Sequence, residues 1–384
     1  MKHISAMIRR FGFLAFAIGC IQALSAPSLS AAEPGNPVPS QAIRHLLYVS
    51  EPGIRDDLQY GGAGILVFDI DHDHRFVRRI DTAASRIAKP ENVKGICASA
   101  ATGRLYLSTL THLYCMNLKT DETVWDKSPP GGCDRMSITP DGKTLFVPSF
   151  EGPFWNVIDA ATGEVVGKIE TKSNSHNTVC SLDGTRIYCA GLKSRLLTVV
   201  DTESRKIVGT IGPFSGEIRP FTINAEKTFC FATVNGLLGF EIGDLNTGKM
   251  VHRVEVQGFK TGPTMRHGCP SHGVGLTPDE REAWVCDSFN RRLHVFDATV
   301  MPPRQVASVA VRDEPGWITF SVDGRFAYPS TGDVIDTRSR KVVTGLEDEK
   351  GRKVESEKLL EIDFQGDNVS RTGDQFGVGR GRKN

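Results

Sequence analysis

What the chain lacks narrows it first. No apolar stretch reaches the ~20 residues that a bilayer-spanning helix needs; the run from Phe11 to Ile21 is too short. Helical periodicity is absent throughout. Charge of neither sign is in excess, with 46 Lys and Arg against 45 Asp and Glu, and no basic stripe breaks the balance. Nucleic acid is therefore not expected as a partner. G-x-S-x-G, H-E-x-x-H and phosphate-binding glycine loops are missing, and without C-x-x-C-H covalent attachment of a c-type haem is excluded. These absences count against enzymes with a local signature, not against sites gathered from scattered loops. No cofactor is named by any motif.

The N-terminus has the grammar of an export signal. Lys2, Arg9 and Arg10 precede the apolar run, and Ser30-Ala31-Ala32 ends a small-residue stretch suited to cleavage. Residues 1–32 are expected to be a signal peptide and 33–44 a linker, placing the mature chain in the periplasm or outside the cell. Ala17-Ile18-Gly19-Cys20 loosely resembles a lipobox, which leaves lipid anchoring at Cys20 open, and Arg9-Arg10 a twin-arginine pair. Eight cysteines follow: Cys97, Cys115, Cys133, Cys180, Cys189, Cys230, Cys269 and Cys286. An even number in an exported chain allows disulfides. Cys189, Cys230 and Cys286 lie in β-runs, however, where cysteine behaves as a small buried hydrophobe, so most are expected to be buried thiols.

What the chain has is a repeat. Asp159 opens D-A-A-T-G-E-V-V, Asp201 D-T-E-S-R-K-I-V, Asp244 D-L-N-T-G-K-M-V and Asp336 D-T-R-S-R-K-V-V. Asp69, Asn117 and Asp297 hold the same place in looser copies, and the successive intervals are 48, 42, 42, 43, 53 and 39 residues. Each copy also has an earlier tight turn, such as Thr139-Pro140-Asp141-Gly142 or Val322-Asp323-Gly324. Four short strands in about 40–45 residues make a propeller blade. Seven copies predict an all-β, seven-bladed β-propeller over residues 45–364. The first copy starts at its second strand, so Lys358–Phe364 is expected to supply the missing innermost strand and close the ring. The tail, 365–384, is Gly/Arg-rich and expected to be flexible.

Tyr48-Val49-Ser50, Tyr106-Leu107-Ser108, Phe146-Val147-Pro148-Ser149 and Tyr188-Cys189-Ala190-Gly191 look like degenerate YVTN motifs. With the turns above, they make residues 45–348 resemble the YVTN-repeat (YncE-like) β-propellers. The resemblance implies architecture and, since the motif residues are structural, almost nothing about activity. The chain also distantly resembles lactonase-type propellers and the haem d1-binding propeller of nitrite reductases, in which histidines on one face carry ligation.

In such a fold the blade-to-blade loops share one face with the loops joining second and third strands. Counting six residues back from each inner turn brings Asp134, His176, Arg219 and His272 to the mouth of the channel, with Gly316 and then Trp317 in the last copy. Arg135 and Asn177 follow the first two of these. Glu151 and Trp155 lie in a loop on the same face. The long interval before the sixth blade holds His267, Cys269 and His272, a spacing that suits a soft or borderline metal. On the other face Asp71-His72-Asp73-His74 has metal-binding residue types in a turn. Two functions stay open. One is a monomeric, exported scaffold that recognises a small ligand or an envelope protein at the mouth. The other is an enzyme using the mouth histidines, either a lactonase-like hydrolase or a haem- or metal-dependent oxidoreductase.

Overall fold

The computed structural model describes residues 42–376, and among them the chain forms seven antiparallel sheets arranged as the blades of a propeller. One turn of 3-10 helix, Ile70–His72, is the only helical element in that span. The inner strands line the channel: Val93–Ser99, Ser137–Ile138, Ser175–Cys180, Ile218–Ile223, Val274–Leu276, Ile318–Phe320 and Leu359–Gln365. The last of these pairs with Ile43–Glu51, so the first blade is closed by the C-terminal strand and has no open seam there.

The repeated acid has a mechanical reason. Asp159 Oδ1 accepts the amides of Ala161 (3.1 Å) and Thr162 (2.9 Å), and Gly163 turns back at φ 75°. Asp201, Asp244 and Asp336 capture the amides of Ser204, Thr247 and Ser339 in the same way. The inner turns repeat a second device. Thr139, Ser181, Thr277 and Ser321 each donate a hydroxyl to the aspartate two residues on, at 2.6–2.7 Å. These side chains hold the turns locally, which is why they recur.

Second strands are buried almost end to end, as in Phe229–Val234, because a neighbouring blade covers each face. Outer strands such as Ile207–Ile211 are mostly exposed. The packing between blades is aromatic and aliphatic: Trp155 and Phe146 of blade three meet Ile187, Cys189 and Val200 of blade four. Cys97, Cys115, Cys133, Cys189, Cys230, Cys269 and Cys286 are outside any disulfide, and all but Cys97 are buried. Burial pushes the Cys189 thiol above its ordinary range and that of Cys230 up to about 12.

The boundaries move at both ends. The first strand begins at Ile43, inside the expected linker. Where a flexible tail was expected from 365, Asn368–Thr372 forms a strand on the channel side of Leu359–Gln365. The chain then carries Gln375 and Phe376 into the channel, both 2% exposed. Glycine and arginine composition suggested disorder, but the inner edge of the closing strand offers free backbone partners. The signal segment, Cys20 and the rest of the tail lie outside the described residues.

Candidate functional site

Each second strand carries one aromatic residue at a fixed register: Tyr48, Tyr106, Phe146, Tyr188, Phe231, Trp284 and Tyr328. Their inner-strand partners are Leu360, Cys97, Ser137, Val179, Thr222, Gly275 and Thr319. Three residues before each partner stands the side chain that opens the channel. The ring is therefore Lys94, Asp134, His176, Arg219, His272, Gly316 and Glu357. The register breaks around Lys94, His176 and Arg219, and such bulges re-aim side chains.

Asp134, Arg135, His176, Asn177, His272 and Trp317 are all buried here. Nδ1 of His176 donates to Asp134 (2.6 Å), and Arg135 approaches Nε2 at 3.4 Å. Lys94 lies 3.6 Å from the other Asp134 oxygen. Arg135 lies 4.4 Å over the Trp317 ring, pairs with Glu357, and bridges in backbone to Asn177 of the next blade. Glu357 accepts from Lys358 at 3.0 Å, and Lys358 also reaches the Gly53 carbonyl at 2.8 Å. Trp317 donates its indole N–H to the Gln375 carbonyl and meets Phe376 edge-on at 5.5 Å, so the C-terminal segment floors the site.

The insertion before the sixth blade roofs it. Arg266 ties this loop to Glu355 (3.0 Å) and Asp313 (2.9 Å), and Arg55 holds the Arg266 carbonyl (3.0 Å). His267 drops in beside Gly316: a Cβ there would lie 1.9 Å from the imidazole Cε1. The seventh blade thus lacks a side chain at its ring position because His267 occupies that space. Nδ1 of His267 lies 3.2 Å from Glu357, and its ring is 5.1 Å from that of His272.

Burial and neighbouring charges pull the buried groups in opposite directions. Burial would raise Asp134, but His176 and Lys94 outweigh it and hold the carboxyl well below its ordinary range. Burial likewise disfavours charge on Glu357, and Lys358 and Arg135 reverse that. Burial lowers Lys358 to about 8, against the pull of Glu357. Burial also lowers His176 and drives His272 far down, favouring the neutral form of both. In the ion pairs of the mouth, three basic side chains (Lys94, Arg135, Lys358) stand against two carboxylates (Asp134, Glu357), so basic groups outnumber acidic ones by one. On these mouth residues four buried side-chain atoms have no hydrogen-bond partner among the described residues: Nδ2 and Oδ1 of Asn177, Nε of Arg135 and Nε2 of His267.

Four expected residues stand apart from the buried cluster. Trp155 is fully buried between blades, its N–H on Thr178 Oγ1 (2.7 Å). Its strand, Phe154–Asp159, is covered on both faces, and the ring packs against Ile187, Cys189 and Val200 of the next blade. Glu151 is exposed in a left-handed turn (φ 49°), and none of the ion pairs of the mouth reaches it. Arg219 lies at the rim, bound to Asn235 Oδ1 (2.6 Å) and the Gly268 carbonyl (3.3 Å). Cys269 donates to the Ser271 carbonyl at 3.1 Å, and burial pushes its thiol up to about 12. The group that clusters is His267, His272 and Glu357, without Cys269. On the other face, His74 is taken by Tyr328 (2.9 Å) and His72 by Asp69 (2.9 Å), so Asp71–His74 forms no common centre.

Lys94, Glu357 and Lys358 were missed. The signal existed: the same register count, extended to the second copy and to the closing strand, lands on Lys94 and Glu357.

No family model matches the chain, and no curated protein sequence is significantly similar to it. Among solved structures 1639 chains match, a breadth that makes the architecture alone uninformative about chemistry. One is dihydro-heme d1 dehydrogenase NirN in complex with DHE. It is 13% identical, with a TM-score of 0.59, and the match covers 85% of this chain and 72% of that one. At that identity the likeness is one of fold.

Proposed function

We propose that this is an exported binding protein of the YVTN-repeat kind that takes a small anionic ligand at the roofed mouth of its channel. The observation that carries this reading is the set of unpartnered buried atoms on Asn177, Arg135 and His267, beside basic side chains that outnumber the carboxylates of the mouth. Buried polar groups normally find partners, and leaving one unmade costs about 1–3 kcal/mol. A carboxylate or phosphate supplies acceptors for Arg135 Nε and Asn177 Nδ2 and an acidic group to match the extra basic one. Arg135 over Trp317 presents a fixed planar donor suited to such groups.

The test is calorimetric titration of the mature protein with citrate, oxalate and inorganic phosphate. Asn177→Ala should weaken the bound anion about 10-fold or more while leaving the free protein as stable or slightly more so, since it removes unsatisfied groups. Binding indifferent to Asn177→Ala, or no binding by any of the three, would sink the reading.

An oxidoreductase is the second reading, favoured by one observation: His272 is held by the Gly316 carbonyl through Nδ1 at 2.8 Å, leaving Nε2 free inside the site. The fold-level likeness to a protein in complex with DHE is compatible with it. An intense visible absorption band in native protein, lost in His272→Ala, would support it; a colourless preparation counts against it. The lactonase-like variant has less support, because Arg135 stands against the His176 nitrogen that a general base would use.

A further inference from the structure

His267, His272 and Glu357 each bring one donor atom, all within 4.8 Å of one another, and all three residues are buried. These donors are prepared as ligands usually are. The Gly316 carbonyl fixes the His272 tautomer whose Nε2 lone pair is free. Arg135 and Lys358 both bind Oε2 of Glu357, leaving Oε1 on the side of His267. Nε2 of His267 is buried with nothing to bind it, and the bare Cα of Gly316 is what gives its ring room. We propose that these three side chains hold one divalent first-row metal ion of the zinc or ferrous class. Two imidazoles and one carboxylate are the donors such ions take when coordination positions are left open.

The assignment rests on the mouth being the binding site and adds a condition to it. An ion here lies beside the basic side chains of Arg135 and Lys358, both of which hold Glu357. Burying two more charges calls for a neutralising partner. The anion of the mouth therefore completes the coordination, and metal and anion each raise the other's affinity by the same factor.

The test uses full-length mature protein stripped with a chelator, then titrated with Co2+ and Zn2+, with and without oxalate. We expect one equivalent of Co2+, tighter with oxalate present, and no thiolate-to-cobalt charge-transfer band. His272→Ala, checked for folding by circular dichroism, should lower the affinity at least about 10-fold. Cys269→Ser should keep the metal. Binding that survives His272→Ala, a thiolate band that Cys269→Ser removes, or no cobalt bound at all overturns the assignment. If stripped protein binds no metal yet still binds oxalate through Asn177, the metal alone falls. If it binds neither, the mouth is not a binding site.

Discussion

Two groups of histidine and carboxylate lie at the entry to the closing strand and within it, and burial treats them in opposite ways. At the mouth, Glu357, two residues before the strand, stands with His267 and His272. Inside the strand, Glu361 and Asp363 share His45. In this second group every carboxylate oxygen has a polar partner within reach, with the one Nδ1 of His45 lying against both residues. Glu361 takes the Val322 amide (2.7 Å) and His45 (3.2 Å), while Asp363 takes His45 (2.7 Å) and Arg371 (2.7 Å). Burial, and after it the hydrogen bond and charge of Asp363, push Glu361 up to about 9, so a proton held between the two carboxyls completes the set. At the mouth two buried cations keep Glu357 ionised, and unpaired atoms remain around it. Neutralisation by a proton closes a cluster, whereas neutralisation by side-chain cations leaves geometry a ligand can use. Residue composition alone does not separate the two cases.

The contrast can be broken most directly by removing each charge. Glu357→Gln should destabilise by about 3–5 kcal/mol in urea denaturation, because Arg135 and Lys358 then lie buried without their anion. Since its folded pKa is depressed, that penalty should be full at neutral pH and shrink as pH falls below the ordinary carboxylate range.

Glu361→Gln should have the opposite sign. The wild-type group must take up a proton on folding, which glutamine avoids while offering an N–H to Asp363. A raised folded pKa gives stability that is present below the unfolded value and lost as pH rises towards about 9. The variant should therefore gain on the order of 1–3 kcal/mol at pH 7, with a difference from wild type that grows by up to about 1.4 kcal/mol per pH unit and vanishes near pH 4. A variant less stable than wild type at pH 8 would show that Glu361 is ionised.

Gly316→Ala should displace the His267 ring, costing about 1–3 kcal/mol in thermal unfolding and abolishing Co2+ binding. Smallest of all, Glu151→Ala should change stability by less than about 0.5 kcal/mol and leave anion titrations unaltered.

The blades were legible because their punctuation is local. Asp159 binds amides two and three residues on, and Thr139 binds Asp141, so each turn is written within a few consecutive letters. The closing strand was legible too, since a copy missing its first strand must find one elsewhere. Half of the mouth followed from counting on that grammar. Trp155 could equally pack between blades or face a ligand, and only the meeting of two blades decides for the seam; for Cys269, spacing in a loop does not say which atoms turn inward.

What the sequence by itself determined is the number of blades, their order and the residue that each offers to the channel, for these depend on short-range turns and a repeating register. What only the tertiary structure decided is which of those residues act together. Glu357 meets Arg135 across 222 positions of chain, His267 fills the space beside Gly316, and Phe376 returns to pack on Trp317. Such meetings are set by closure of the ring and by burial, which fix distance and charge between residues that share no local pattern.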